Sequence, residues 1–308
     1  MALRCRRRSM RLTNSPWPAC GNRCCAAPAP PTARPARTGC AGPRRTDRGS
    51  MTQGGRLRTL VTAPDPALHV VLCPFAGGSG AAFRSWHGVD AGELQVSLAI
   101  YPGRDHRLRE SCSTDIAALA ADLVAALSQA RIAPQHAVLA GHSMGAQVAF
   151  EACALLERQG ESPAGLALSG CHAPHLRGRR LLSPLDDHAF LAQLVDIGGC
   201  SAELLAEPAL MALFLPMLRA DFCATERYHR PAPSDRQRLR TPALLIHGSN
   251  DAEADRGEVA AWAQWLRDAE GPVCIAGDHF YATRRPRAFL SHLARRFAFP
   301  STGVTHAR

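Results

Sequence analysis

Three observations predict an α/β domain built on a mostly parallel central sheet flanked by helices. From about Leu60 onward, short apolar runs alternate with longer amphipathic segments, the rhythm of strands joined by crossover helices. The apolar runs do not alternate strictly with polar residues, as expected of strands covered on both faces. A glycine-flanked serine, Gly141-His142-Ser143-Met144-Gly145, stands between one such run and one such helix, the setting of a strand–turn–helix unit.

In chain order, the expected strands are His69–Pro74, Gln95–Tyr101, Ala137–Ala140, Gly165–Ser169, Ala243–His247 and Val273–Ala276. The first helix is expected over Asp115–Gln129, where Ile116, Leu119, Leu123, Val124 and Leu127 make one stripe and Ser113 or Thr114 can cap the start. Further helices are expected at Gly145–Gln159, Glu258–Ala269 and Pro286–Phe297. Between about residues 175 and 240 there are helical pieces but no strand. An insertion between late strands of a parallel sheet sits over their carboxyl ends, where ligands bind, so this stretch is expected to be a helical lid. No internal repeat is present.

The chain has 308 residues, 46% of them apolar, and a formal charge of +10. That charge is local. Residues 1–50 hold eleven Arg and a single acidic residue, Asp47, for +10, so residues 51–308 sum to zero. A neutral body argues against nucleic acid as a partner, and the Arg-rich segment has no folded motif or stacking aromatics beside it. Residues 1–50, rich in Arg, Pro, Ala and Gly, carry too little apolar surface to offset their ordering entropy and are expected to be disordered. Met51 is an alternative start for the folded domain, residues 51–308. The basic start leads into no apolar core of a secretory signal, and Cys5, Cys20, Cys24, Cys25 and Cys40 have no paired C-x-x-C spacing for a metal. No run is long enough to cross a membrane as a helix. Twelve cysteines are too sparse for a disulfide-built miniprotein. A cytoplasmic monomer with its body thiols reduced is therefore expected.

In G-x-S-x-G, the sharp turn crowds the residues two before and two after the serine, which requires glycine at both places. The turn lifts Ser143 Oγ clear of the sheet, and the following helix N-terminus adds a positive field near a developing oxyanion. A serine hydroxyl needs a base, and the base needs an orienting carboxylate. In strand–turn–helix serine enzymes these follow as Ser, acid, His. Asp251 in HGSND and His279 in GDHFY each lie just after a late strand, at the sheet edge that carries Ser143. Glu253, Asp255 and Asp278 are the rival acids: the first two stand further from the strand end, and the third adjoins His279. Of the other histidines, His142 lies inside the turn, His247 inside a strand, and His172 and His175 lack a third metal ligand. An oxyanion hole needs two backbone N–H donors. Met144 follows the nucleophile, and Ala76 lies in the glycine-rich loop Pro74–Gly80, which lacks the G-K-[ST] of a phosphate loop.

Several segments together resemble the type II thioesterases, stand-alone α/β-hydrolases that serve nonribosomal peptide and polyketide synthetases. They are PFAGGSGAAF at Pro74–Phe83, Trp86, YPGRDHRLRE at Tyr101–Glu110, GHSMGAQVAFE at Gly141–Glu151, SGCHAP at Ser169–Pro174, LPMLRADF at Leu215–Phe222 and GDHFY at Gly277–Tyr281. The resemblance runs from about Val61 to Phe297 and implies Ser143 as nucleophile, Asp251 as acid and His279 as base, with Ala76 and Met144 at the oxyanion hole. Phe75 departs from it, since many relatives have His there, and SGCHAP is less basic than the usual form. The implied reaction is hydrolysis of acyl groups held through phosphopantetheine on acyl or peptidyl carrier proteins, removing aberrant groups that stall a synthetase. No cofactor or metal is implied, because the phosphopantetheine arm belongs to the carrier substrate. With no carrier or condensation segment ahead of residue 60, an enzyme acting in trans is expected. A general carboxylesterase on the same fold is the alternative, but it would more often carry an HGGG-type oxyanion loop.

Overall fold

The structure is a computed structural model that describes residues 55–199 and 207–298. The 1–50 extension and Met51 lie outside the described residues. Seven strands form one sheet in the order β1-β3-β2-β4-β5-β6-β7. They are β1 Leu57–Val61, β2 Leu68–Cys73, β3 Leu94–Ala99, β4 Ala137–His142, β5 Gly165–Ser169, β6 Ala243–Gly248 and β7 Ala269–Ile275. All neighbours run parallel except β1, which pairs antiparallel with β3. The central strands β4 and β5 are buried at every residue, as unbroken apolar runs require.

The sheet separates two apolar clusters. One holds Leu119, Leu123, Val148, Phe150, Trp262 and Trp265; the other holds Val70, Leu98, Trp86, Ile246 and Phe289. Helix α1, Ile116–Gln129, presents the expected stripe to the first cluster, but neither Ser113 nor Thr114 is its cap. Asp115 is, with its carboxylate accepting the Ala117 N–H at 3.1 Å. Helix α2, Met144–Arg158, is buried along most of its length, and its small residues Gly145, Ala146, Ala149 and Ala152 bring it close to the sheet.

Three other expectations change. Strand β1 was not anticipated, because Arg58 and Thr59 are exposed and only its last two residues are buried. The helix expected over Glu258–Ala269 is instead α5, Arg256–Ala260, followed by a 3-10 turn over Ala261–Trp265. Three residues per turn put Trp262 and Trp265 on one face, and both are buried there. Strand β7 then begins at Ala269, well before Val273. At the C-terminal end, a short α6, Tyr281–Arg284, leads into α7, Pro286–Leu293, which is continued by a π turn over Ala294–Ala298.

Within 175–240, the described residues form helices α3, Asp187–Ile197, and α4, Pro208–Arg227. They enclose a third apolar cluster of their own, centred on Leu182, Phe190 and Leu194 and packed against Leu215, Leu218 and Phe222. Helix α4 also lies along α2: Thr225 Oγ1 donates to Gln147 at 2.8 Å, and beyond the helix end Tyr228 Oη donates to Glu151 at 2.7 Å. Among the described residues, no helix is long and apolar enough to cross a membrane.

Candidate active site

Strand β4 ends at His142, α2 begins at Met144, and Ser143 between them takes φ 55° and ψ −125°. That backbone is strained for a side-chain-bearing residue and is held by what surrounds it. A Cβ on Gly141 would stand 2.0 Å from the Gly145 carbonyl oxygen, and one on Gly145 would stand 1.9 Å from the Cys73 carbonyl oxygen. Glycine is therefore obligatory at both positions. The second contact also presses the turn against the end of β2, where the Pro74–Gly80 loop begins.

The turn brings three side chains into a line. Ser143 Oγ lies 3.1 Å from His279 Nε2, and His279 Nδ1–H donates to Asp251 at 2.9 Å to Oδ1 and 3.0 Å to Oδ2. Asp251 Oδ1 also accepts the N–H groups of Glu253 and Ala254 at 2.9 and 3.1 Å. Burial raises the Asp251 pKa, but the bonds from His279 and the Glu253 N–H outweigh it and hold the carboxyl below the usual range. The rival acids are engaged elsewhere. Glu253 pairs with Arg180, Asp255 caps α5 and pairs with Arg179, and Asp278 pairs with Arg284. His175 accepts the Trp265 indole N–H at 3.0 Å, which makes it a packing residue.

Ala76 and Met144 pack against the same apolar cluster. Among the described residues, neither of their N–H groups donates to a protein acceptor, so both are free for a ligand oxygen. The loop is closed by the Gly78 N–H donating to the Phe75 carbonyl at 2.8 Å. The Phe75 ring meets Phe280 edge-on at 5.1 Å and His142 at 6.2 Å, so Phe75 forms an apolar wall beside the serine turn.

Sequence reasoning gave no role to His142, Ser169 and Tyr281, which lie beneath His279. His142 Nε2–H donates to the His279 carbonyl at 2.6 Å, and Nδ1 lies 3.0 Å from Ser169 Oγ. Ser169 Oγ is 2.6 Å from Tyr281 Oη, which donates to the Ile246 carbonyl at 3.0 Å. Burial, then the neighbouring His279, push the His142 pKa down to about 3. In the unfolded chain this ring titrates near about 6.5. Between those values the unfolded state binds a proton that the folded state refuses, so stability rises with pH across the window. Thermal melts are expected to show Tm climbing from about pH 4 to about pH 6.5, with a shallower climb in His142→Gln. Equal slopes would show that another group carries the dependence.

Cys73 and Cys171 also border this region. Cys73 is fully buried at the end of β2, and the Cys171 carbonyl accepts the Trp262 indole N–H at 2.9 Å. Burial pushes the Cys73 thiol up to about 12 and the Cys171 thiol higher still.

A family model described as "Thioesterase domain" matches residues 68–297, well over half of the chain. The probable anguibactin biosynthesis thioesterase AngT of Vibrio anguillarum is 43% identical over 225 residues, covering 73% of this chain and 89% of that protein. Thioesterase PikA5 of Streptomyces venezuelae is 37% identical over 246 residues, covering 77% of this chain and 83% of that protein. Among solved structures, the type II thioesterase YbtT from the yersiniabactin NRPS/PKS biosynthetic pathway superposes with a TM-score of 0.76 at 50% identity, covering 79% of this chain and 98% of YbtT. With the α/β-hydrolase sheet, the strained serine and these likenesses together, the chain belongs to the thioesterase family, as a thioester hydrolase akin to the type II enzymes of nonribosomal peptide and polyketide pathways.

Proposed function

We propose that this protein hydrolyses acyl thioesters carried on the phosphopantetheine arms of acyl or peptidyl carrier proteins, with Ser143 as nucleophile, His279 as base and acid, and Asp251 as the orienting carboxylate. The hydrogen-bonded line from Ser143 Oγ through His279 to Asp251 carries the reading. Ser143 Oγ attacks the thioester carbonyl carbon while its proton passes to His279 Nε2. The carbonyl oxygen, now an oxyanion, takes the Ala76 and Met144 N–H groups. Collapse breaks the C–S bond, and His279 returns the proton to the departing sulfur. A thiol of pKa about 8.5 leaves readily, so this step asks little of the acid. Water then attacks the acyl-serine and gives a proton to His279; the C–O bond to Ser143 breaks, His279 returns the proton to Ser143 Oγ, and the carboxylic acid is released.

The relatives' names, a biosynthesis thioesterase and a type II thioesterase of an NRPS/PKS pathway, support a substrate from such a pathway; on this reading the substrate is carrier-bound and the role is to clear stalled acyl groups in trans. The helices within 175–240 act as the lid over this site, and the enzyme works as a cytoplasmic monomer without a cofactor. The test compares acetyl, propionyl and longer acyl groups on a phosphopantetheinyl carrier protein with the same groups on coenzyme A and as p-nitrophenyl esters. A higher kcat/KM on the carrier by about tenfold or more is expected, since contacts remote from the reacting carbonyl contribute to transition-state binding. Faster turnover of the simple esters, with no gain from the carrier, would identify a general carboxylesterase instead.

A further inference from the structure

Arg104 and Asp221 form an ion pair whose side chains are only 3% and 1% exposed. Arg104 Nη2 donates to Asp221 Oδ1 at 2.7 Å, and Nη1 donates to Oδ2 at 2.8 Å. Both ends of the pair also hold the loop that carries Ala76. The Gly77 N–H donates to Asp221 Oδ2 at 2.7 Å, and Arg104 Nη1 donates to the Gly78 carbonyl at 3.2 Å. Next to Arg104, Asp105 accepts the Gly80 N–H at 2.9 Å. Gly77 takes φ +78°, and Leu218 of α4 fills the space where a side chain would stand. Three peptides of the loop, Ala76–Gly77, Gly78–Ser79 and Ser79–Gly80, are thus held from outside it, and Asp221 reaches the first of them from α4, across 144 residues of sequence.

A buried ion pair rarely stabilises a fold more than apolar residues of the same volume would, since desolvating two charges offsets most of their attraction. What such a pair supplies here is direction: two rigid forks that set the plane of the peptide following Ala76. An oxyanion donor tilted by a fraction of an ångström loses much of its effect, because the developing charge is stabilised only by dipoles already in place.

We propose that Arg104 and Asp221 are positioning residues for the oxyanion loop, and that the docking of α4 through Asp221 makes the hole competent. The inference rests on the assignment of Ala76 and Ser143 above. A hole set this way is complete only while α4 is seated, so lid position and transition-state stabilisation are coupled through one carboxylate.

The test is the double variant Arg104→Met/Asp221→Leu, which removes both charges together and leaves no single buried ion behind. Its kcat on an acyl-carrier thioester is expected to fall about 10- to 100-fold, with KM within about threefold of wild type. Affinity for an acyl trifluoromethyl ketone, whose hemiketal oxyanion occupies the hole, falls in step with kcat/KM. Asp221→Asn serves if the double variant does not fold. An amide oxygen can keep the Gly77 N–H, but its NH2 then faces an Arg104 donor, and a kcat loss of about threefold to tenfold is expected. Wild-type kcat in either folded variant overturns the proposal, as does a loss of activity that follows Tm while ketone affinity is retained. Ser143→Ala, assayed alongside, separates the two claims: full activity in that variant would sink the nucleophile assignment itself, whatever the ion pair does.

Discussion

Ser143→Ala is expected to fold like the wild type and to lose at least about 10,000-fold in kcat on an acyl thioester. The size of the effect follows from the geometry. His279 has one acceptor nitrogen directed at Ser143 Oγ, at 3.1 Å, and its other nitrogen is committed to Asp251. Without the hydroxyl, that base can only activate a water, which must find its own position over the carbonyl. What remains is the oxyanion hole and substrate binding, which supply a modest share of such catalysis. The assay is single-turnover release of a radiolabelled acyl group from the carrier, with circular dichroism confirming the fold. Retention of more than about 1% of activity would show that the acyl-serine route is not the main one.

Gly145→Ala is expected to have the largest effect on stability. Its Cβ would stand 1.9 Å from the Cys73 carbonyl oxygen and 2.7 Å from the Pro74 carbonyl oxygen. Both are backbone atoms at the end of a central strand, and no rotamer change relieves the overlap. Either α2 lifts from the sheet or the end of β2 bends. We expect a loss of about 3 kcal/mol or more, beyond the usual range for one added methyl group, and a fall in Tm of about 6–12 °C. Activity is lost with it, because the displaced β2 end carries the Ala76 loop. Chemical denaturation together with a thermal melt checks this. A Tm within about 2 °C of wild type would mean that the turn yields where the packing says it is rigid.

Most of the central sheet was legible because its strands are buried on both faces. Such strands read as apolar runs whatever their neighbours do, and Gly165–Ser169 has the expected bounds. Strand β1 was not legible, since an edge strand with Arg58 and Thr59 in solvent lacks that signature. The Trp262–Trp265 turn was misread for a related reason: apolar residues three apart fit an α-helix and a 3-10 turn alike. At the site, the serine turn announces itself through glycines imposed by backbone crowding, and Asp251 and His279 through their places after strand ends. Arg104 and Asp221 do not. Each lies in a recognisable segment, YPGRDHRLRE or LPMLRADF, yet a charged residue in either reads as solvent-facing until the fold buries them together. The signal was an Asp beside apolar residues on helix α4. Its meaning depends on a contact made across 117 residues of sequence to Arg104.

The buried cysteines have a bearing on an enzyme that handles activated acyl groups. Thioesters pass their acyl group to any accessible thiolate, so a reactive cysteine near the site would capture acyl chains in a side reaction. Cys73 ends the strand that leads into the Ala76 loop, and Cys153 is buried in α2. Both thiols are pushed up to about 12. At neutral pH both therefore remain thiols, and Cys171, raised by burial in the same way, does too. Burial thus leaves these sulfurs chemically silent toward transacylation.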